Sequence, residues 1–351
     1  MKTNLRPAAI CAALTCLLAV PALAAAETPP VASTPVPVPA PVAPPVAGKI
    51  KLVLQKVGGK PLFARVGRRV VVRGIVTPYV AGQSIKVSFY RDARKVGVET
   101  VSVLPVGNGA GQFHVGFTSH DAGLFEARAA HYASAAQLAF AGRSQGVRFV
   151  NGNLGLGASG ASVRLLQSEL SQLHFAVPLN GVLDEATGRA LVAYRKMTGL
   201  SRIAYAGSDV FGRLAQGAGE FHVRYRHDGR HIEADLTKQV LAEIEPGGKV
   251  RKLYTMSSGK PSTPTVIGRF TVYNKEPGTN GHGMVDSSYF IRGYAIHGYA
   301  EVPTYAASHG CLRVPIPDAP AIYGWVSYGM PVDVYNENGS GSSVVRSNAG
   351  P

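Results

Sequence analysis

Cys311 lies in the run Ala307-Ser308-His309-Gly310-Cys311-Leu312-Arg313, a short loop after a second histidine in Tyr294-Ala295-Ile296-His297-Gly298. Only a thiolate attacks carbonyl carbon well, and an ordinary cysteine near neutral pH is mostly protonated. A nearby imidazole can take that proton, stabilise the resulting ion pair and later return the proton to a leaving amine. Gly310 permits a tight bend before the thiol, so the backbone N–H groups of Gly310 and Cys311 can converge on an oxyanion. The span from His297 to Cys311 thus supplies nucleophile, base and oxyanion donors. Two plainer readings exist for the same residues. One is a buried, inert cysteine. The other is a zinc site drawn from His282, His297, His309 and Cys311, which have suitable ligand atoms but neither the paired CxxC nor the HExxH spacing.

The other cysteines sharpen the first reading. The chain has three, Cys11, Cys16 and Cys311. Residues 1–26 have the parts of a signal peptide: Lys2 and Arg6, an apolar run from Ala8 to Val20, then Ala22-Leu23-Ala24 and Ala24-Ala25-Ala26. The run is short for a membrane span, which sets the alternative of an uncleaved anchor second. Neither Cys11 nor Cys16 follows the small residue of a lipoprotein signal. The expectation is an exported protein of the cell wall or periplasm, whose mature chain keeps Cys311 alone and forms no internal disulfide. A lone thiol in an oxidising compartment is a liability unless it is buried or used.

The net charge is +15, of which the signal segment contributes two. Such a balance favours anionic partners. Outside the cell these are anionic wall polymers or lipid surfaces. The basic residues are scattered and no nucleic-acid-binding motif is present, so nucleic acid is excluded as the expected partner.

Four kinds of segment must carry and position this stretch. Residues 27–48 are a Pro-rich linker, too dense in proline for helix or central strand and suited to a stiff spacer. Residues 49–150 alternate with period two, as in Ile50/Leu52/Leu54, Ile85/Val87/Phe89 and Phe113/Val115/Phe117, and predict an all-β sandwich of about seven strands. Residues 153–218 change to helical spacing. Val163, Leu166, Leu170 and Leu173 mark one face; Asp184 can cap a second helix bearing Ala190, Tyr194 and Met197, which Gly199 ends; Ser208 opens a third with Phe211 and Leu214. Residues 220–336 return to strands with one short helix from Asp318, giving a mainly β domain. The Gly/Ser/Asn-rich tail 337–351 is expected to be disordered.

Three resemblances follow from these segments. The sandwich is similar to immunoglobulin-like modules of extracellular bacterial proteins. Leu165-Leu166-Gln167, the Asn180-Gly181-Val182-Leu183-Asp184 turn and the helix from Ala190 to Leu200 resemble, in order, a three-helix peptidoglycan-binding domain, although Tyr194-Arg195 stands where an aromatic and Gln are usual. Most specifically, His297-Gly298 followed by Ser308-His309-Gly310-Cys311 resembles the active-site signature of L,D-transpeptidase catalytic domains, and Thr265-Val266-Ile267-Gly268-Arg269-Phe270 resembles that family's Thr-Pro-x-Gly-x-Phe element. That resemblance implies Cys311 as nucleophile and His297 as base, with the Gly298 carbonyl orienting the imidazole. It further implies Ser308 and His309 shaping the pocket, an oxyanion hole from the N–H groups of His309, Gly310 and Cys311, and Arg313 at a position held by Asn or Arg. The implied reaction takes the acyl group of a peptidoglycan tetrapeptide stem, releases D-alanine and passes the acyl group to an amine as a 3→3 cross-link. Water as acceptor makes the same site an L,D-carboxypeptidase. No cofactor is implied, the partner is peptidoglycan, and carbapenem-type acylators are the expected inhibitors. The competing class is a wall-anchored binding protein with a vestigial catalytic domain.

Overall fold

A computed structural model describes residues 43–337 of the chain. The signal-peptide reading, most of the Pro-rich linker and nearly all of the tail lie outside these residues. The compact unit begins at Pro44. Among the described residues no helix is long and apolar enough to cross a membrane.

The first segment is a two-sheet sandwich. One sheet runs in the order Lys49–Gln55, Arg69–Thr77, Ala110–Thr118, Leu104–Gly107; the other runs Phe63–Arg65, Val147–Val150, Gly123–His131, Ser84–Arg91, Arg94–Ser102, with Phe140–Arg143 also paired to Gly123–His131. Ten strands form where about seven were expected, because three- and four-residue edge strands are too short to show a period in sequence. Alternation places Ile85, Val87, Phe113 and Val115 in the shared core. The turn into Ala110–Thr118 carries positive φ at Asn108 and Gly109, as a tight hairpin demands.

The helical segment has three helices: α1 (Ala161–Gln172), α2 (Glu185–Met197) and α3 (Ser208–Ala215). Asp184 caps α2 through Thr187 N–H. Buried Gln167 clasps the Asn180-Gly181 turn: its Nε2 donates to Asn180 Oδ1, Val182 O and Thr187 Oγ1, and its Oε1 accepts from Gly181 N–H. Arg195, at 3% exposure, pairs with Asp209 at 2.8 Å and so closes α2 on α3. This core does not stop at the segment's edge. Leu166, Leu170, Leu191 and Tyr194 form one cluster with Val240, Ala242, Ile244 and Leu253 of the sheet beyond, and with Phe63 and Val150 of the sandwich.

The last segment packs two sheets on each other. The first runs Lys249–Thr255, Val240–Glu245, His231–Asp235, Pro331–Tyr335, Gly268–Thr271; the second runs Asn274–Thr279, Val285–Ile291, Tyr294–Tyr299, Leu312–Pro315. Ile232, Leu241, Ile296, Leu312, Val314 and Val332 meet between them. The short helix α4 (Ala319–Trp325) carries Pro320 in its first turn. Asp318 stands at its N-cap but makes no capping bond, contrary to expectation: Arg189 of α2 takes the carboxylate in a two-pronged ion pair at 3.0 and 2.9 Å. A charged fork satisfies a carboxylate better than one backbone N–H does, so the interdomain contact wins over the cap.

Candidate active site

Tyr294–Tyr299 and Leu312–Pro315 lie side by side and parallel, with His297 opposite Arg313 and Ile296 opposite Leu312. Side chains alternate across a sheet, so one face of this pair is apolar and the other reactive. Ile296, Leu312 and Val314 point into the core. His297, Tyr299, Cys311 and Arg313 share the opposite face. The predicted nucleophile and base therefore reach one surface because two parallel strands bring them there, a pairing that sequence reading did not specify.

Cys311 enters this strand through a bend that fixes nearly every polar atom around it. Ser308, fully buried, accepts from Gly310 N–H at 3.0 Å and donates to the Cys311 carbonyl at 2.6 Å. Ser308 N–H donates to Ser258 O, and Ser308 O accepts from Lys260 N–H. Thr265 Oγ1 donates to Gly310 O and accepts from Gly259 N–H, each at 2.8 Å. Gly310 has φ +122°, and a Cβ there would stand 1.8 Å from the Tyr294 ring, so both its backbone angle and its neighbour demand glycine. The Gly310 N–H, expected to face an oxyanion, is turned to Ser308 Oγ in this bend.

His297, 3% exposed, points its Nδ1 at the Gly298 carbonyl, 2.9 Å away. A carbonyl only accepts, so the proton sits on Nδ1 and Nε2 carries the lone pair. Burial, followed by the charge of Arg313, pushes this imidazole down to about 4 against the helpful Gly298 bond. The Cys311 thiol is half-buried and, instead of bonding His297, leans on the Gly293 carbonyl at 3.7 Å. Burial raises the thiol, while Ala295 backbone and the Arg313 charge act against that rise. Both shifts favour the neutral thiol and the neutral imidazole over the ion pair. Water is excluded more strongly than opposite charge is supplied.

Arg313 spreads its guanidinium over the Tyr299 ring at 4.0 Å. Tyr299 also meets His297 edge to face, with centroids 5.7 Å apart. Tyr299 escaped the sequence reading, yet it lies two residues after His297, and period two alone places it on the reactive face. Lys260 was missed as well: its Nζ stands 3.3 Å from His309 Nε2. An ammonium only donates, so His309 faces Lys260 with the lone pair of Nε2. His282 lies apart in the Asn280 turn, and among the described residues no three His, Cys, Asp or Glu gather to hold a metal.

Among the described residues Cys311 is the one thiol, and it shares a sheet face with a tautomer-locked imidazole and a cation. Residues 229–334 match the YkuD family model, the L,D-transpeptidase catalytic domain. A crystallised L,D-transpeptidase from Xylanimonas cellulosilytica is 30% identical over 53% of this chain and 98% of its own, with a TM-score of 0.48. A mutant L,D-transpeptidase from Enterococcus faecium is 32% identical over 30% of this chain and 50% of its own, TM-score 0.28. L,D-transpeptidase 1 of Mycobacterium tuberculosis is 22% identical over 30% of this chain and 61% of its own, TM-score 0.25. No curated protein sequence matches the chain. Residues 229–334 thus form an L,D-transpeptidase catalytic domain.

Proposed function

We propose that the protein is an exported cell-wall enzyme in which Cys311 and His297 break and remake peptide bonds of peptidoglycan stems. The observation that carries this reading is the Nδ1 bond from His297 to Gly298, which makes Nε2 the ring's acceptor on a residue that shares a sheet face with Cys311. Cys311 Sγ attacks the carbonyl of the third stem residue while His297 Nε2 takes the thiol proton. The oxyanion is met by His309 and Cys311 N–H. The C–N bond to D-alanine then breaks, and the imidazolium returns the proton to the departing amine, leaving a thioester. An amine of a neighbouring stem gives its proton to Nε2, attacks the thioester and restores the thiol, forming a 3→3 cross-link. Water in place of the amine yields the L,D-carboxypeptidase outcome. Arg313, a cation on the same sheet face, holds the carboxylate next to the scissile bond. Carbapenems acylate the same thiol.

The helical segment is assigned to gripping peptidoglycan and the sandwich, immunoglobulin-like in kind, to spacing. The linker 27–48 carries the whole away from the membrane surface. The test is mass analysis of muropeptides after incubation with the protein. Release of D-alanine with 3→3 dimers supports the reading; intact stems and an unacylated Cys311 after carbapenem treatment reject it in favour of a vestigial domain.

A further inference from the structure

The outer face of the sandwich's larger sheet bears a trough of about 520 Å³ far from the reacting thiol in sequence. Three cross-strand rows build it. Tyr90 pairs with Glu126 and Lys95; Ser88 with Arg128 and Val98, Arg128 in turn with Arg143; Lys86 with Ala130 and Thr100, Ala130 in turn with Ala141. The floor is made of small residues, Ser88, Ala130, Ala141 and Gly142, so the surface dips where most sheets stand proud. Two tyrosines rim it, and each is met by a cation: Arg128 lies over Tyr90 at 4.1 Å and Lys86 over Tyr132 at 5.7 Å. Tyr132 is 66% exposed.

The charges on this face do not balance. Lys86, Lys95, Arg128 and Arg143 line the trough against Glu126, which is bound to Arg128 at 2.5 Å. Arg128 and Arg143 stand directly opposite each other, a pairing of like charges that costs stability in a sheet. The fold therefore sustains a cost here that an anion spanning the two guanidinium groups would relieve. Four strands at the usual spacing of about 4.8 Å give the trough a length of about 14 Å, enough for an extended chain rather than a single ion.

We propose that this trough binds an anionic polysaccharide. Carboxylate groups would lie on Arg128 and Arg143 and a sugar ring on the exposed Tyr132, since an aromatic face takes the apolar side of a ring that small floor residues leave room for. The site is independent of Cys311; the wall reading enters only in saying where such a polymer is met.

The test uses the full chain and polygalacturonate fragments as probe, with neutral dextran, polyphosphate and anionic phospholipid vesicles beside it. The expected result is polygalacturonate binding weakened at least about tenfold in Arg128→Ala/Arg143→Ala. Tyr132→Ala, an exposed change that leaves the sheet intact, weakens it about threefold, roughly one aromatic contact. Release of D-alanine from soluble stems stays at the parent rate in all of them. Equal binding by both variants, polyphosphate binding as tight and insensitive to Tyr132→Ala, dextran binding as tight, or vesicle binding sensitive to the same residues would each overturn the proposal. A parent protein that binds polygalacturonate but leaves stems uncut would reject the enzymatic reading and leave the trough standing.

Discussion

His297 and Lys196 are both basic groups pulled out of water in the same half of the molecule, and burial lowers both. His297 falls from 6.5 to about 4; Lys196, from 10.5 to about 7, with the charge of Arg202 adding to burial. Their surroundings differ in purpose. Lys196, 2% exposed in the seam between α2 and the catalytic sheet, spends its donors on Gln239 O, Thr255 Oγ1 and Met256 O at 3.0, 2.7 and 2.8 Å. His297 anchors one nitrogen on the Gly298 carbonyl, which makes the other the ring's acceptor. The same desolvation thus makes a sealed joint in one place and a waiting proton acceptor in the other. What separates them is whether hydrogen-bonding capacity has been left unused.

The comparison breaks most decisively at the thiol. Cys311→Ser should cut D-alanine release by at least about 10⁴-fold with melting temperature unchanged, because a hydroxyl beside imidazole is a far weaker nucleophile. A serine variant that still releases D-alanine would remove Cys311 from the chemistry. Next in size, His297→Ala should slow carbapenem acylation by about 10²–10⁴-fold at neutral pH. Its pH profile carries the sharper information. In the parent the acid limb falls near pH 4, where Nε2 becomes protonated and cannot accept. Without His297 that limb disappears, and the rate climbs about tenfold per pH unit toward the raised thiol value. If His309→Ala removes the acid limb instead, the two histidines have exchanged roles.

Arg313→Gln should be milder. Losing one charged hydrogen-bond partner is worth about 1.5–3 kcal/mol, or roughly 10–100-fold in kcat/KM for a stem ending in free carboxylate. A stem ending in carboxamide should lose far less, and equal losses on both would reduce Arg313 to its electrostatic effect on the thiol. The smallest effect on activity belongs to the seam. Lys196→Met should leave stem hydrolysis near the parent level and change the pH dependence of stability. Between about pH 7 and the ordinary 10.5 the unfolded chain holds a proton on this lysine that the folded chain has released. Stability therefore rises with pH across that window in the parent, and below it the full burial cost applies. Urea unfolding from pH 6 to 10 should show that slope shrink in Lys196→Met; an unchanged slope would mean the lysine stays charged in the fold.

Much of this was legible before any coordinates. Period-two runs such as Ile85/Val87/Phe89 and the helical face of Val163, Leu166 and Leu170 announce burial directly, since alternation and 3.6-residue spacing are geometric consequences of strand and helix. The contact of His297 with the Gly298 carbonyl was readable because it joins neighbouring residues. Tyr299, Lys260 and the ion pair of Arg189 with Asp318 were not, because each depends on a partner distant in sequence. The preference for the neutral pair was also hidden: whether an imidazole lowers a thiol depends on how much water the fold removes. Arg195, an oddity in its helix by resemblance, makes sense only once Asp209 is seen across from it.

The cluster that runs from α1 and α2 into Val240, Ile244 and Leu253 has a consequence for inheritance. A module that keeps its own core can be cut out, duplicated or traded between genes without injury to its neighbours. Here Ala176 N–H donates to Leu253 O while Leu253 N–H donates to His174 O, so the helical segment supplies a stretch of edge to the catalytic sheet. Excising it would expose Val240, Ile244 and Leu253 at roughly 1.5–3 kcal/mol each, a large part of what usually keeps a domain folded. In this chain the two segments therefore stand or fall together as one heritable unit.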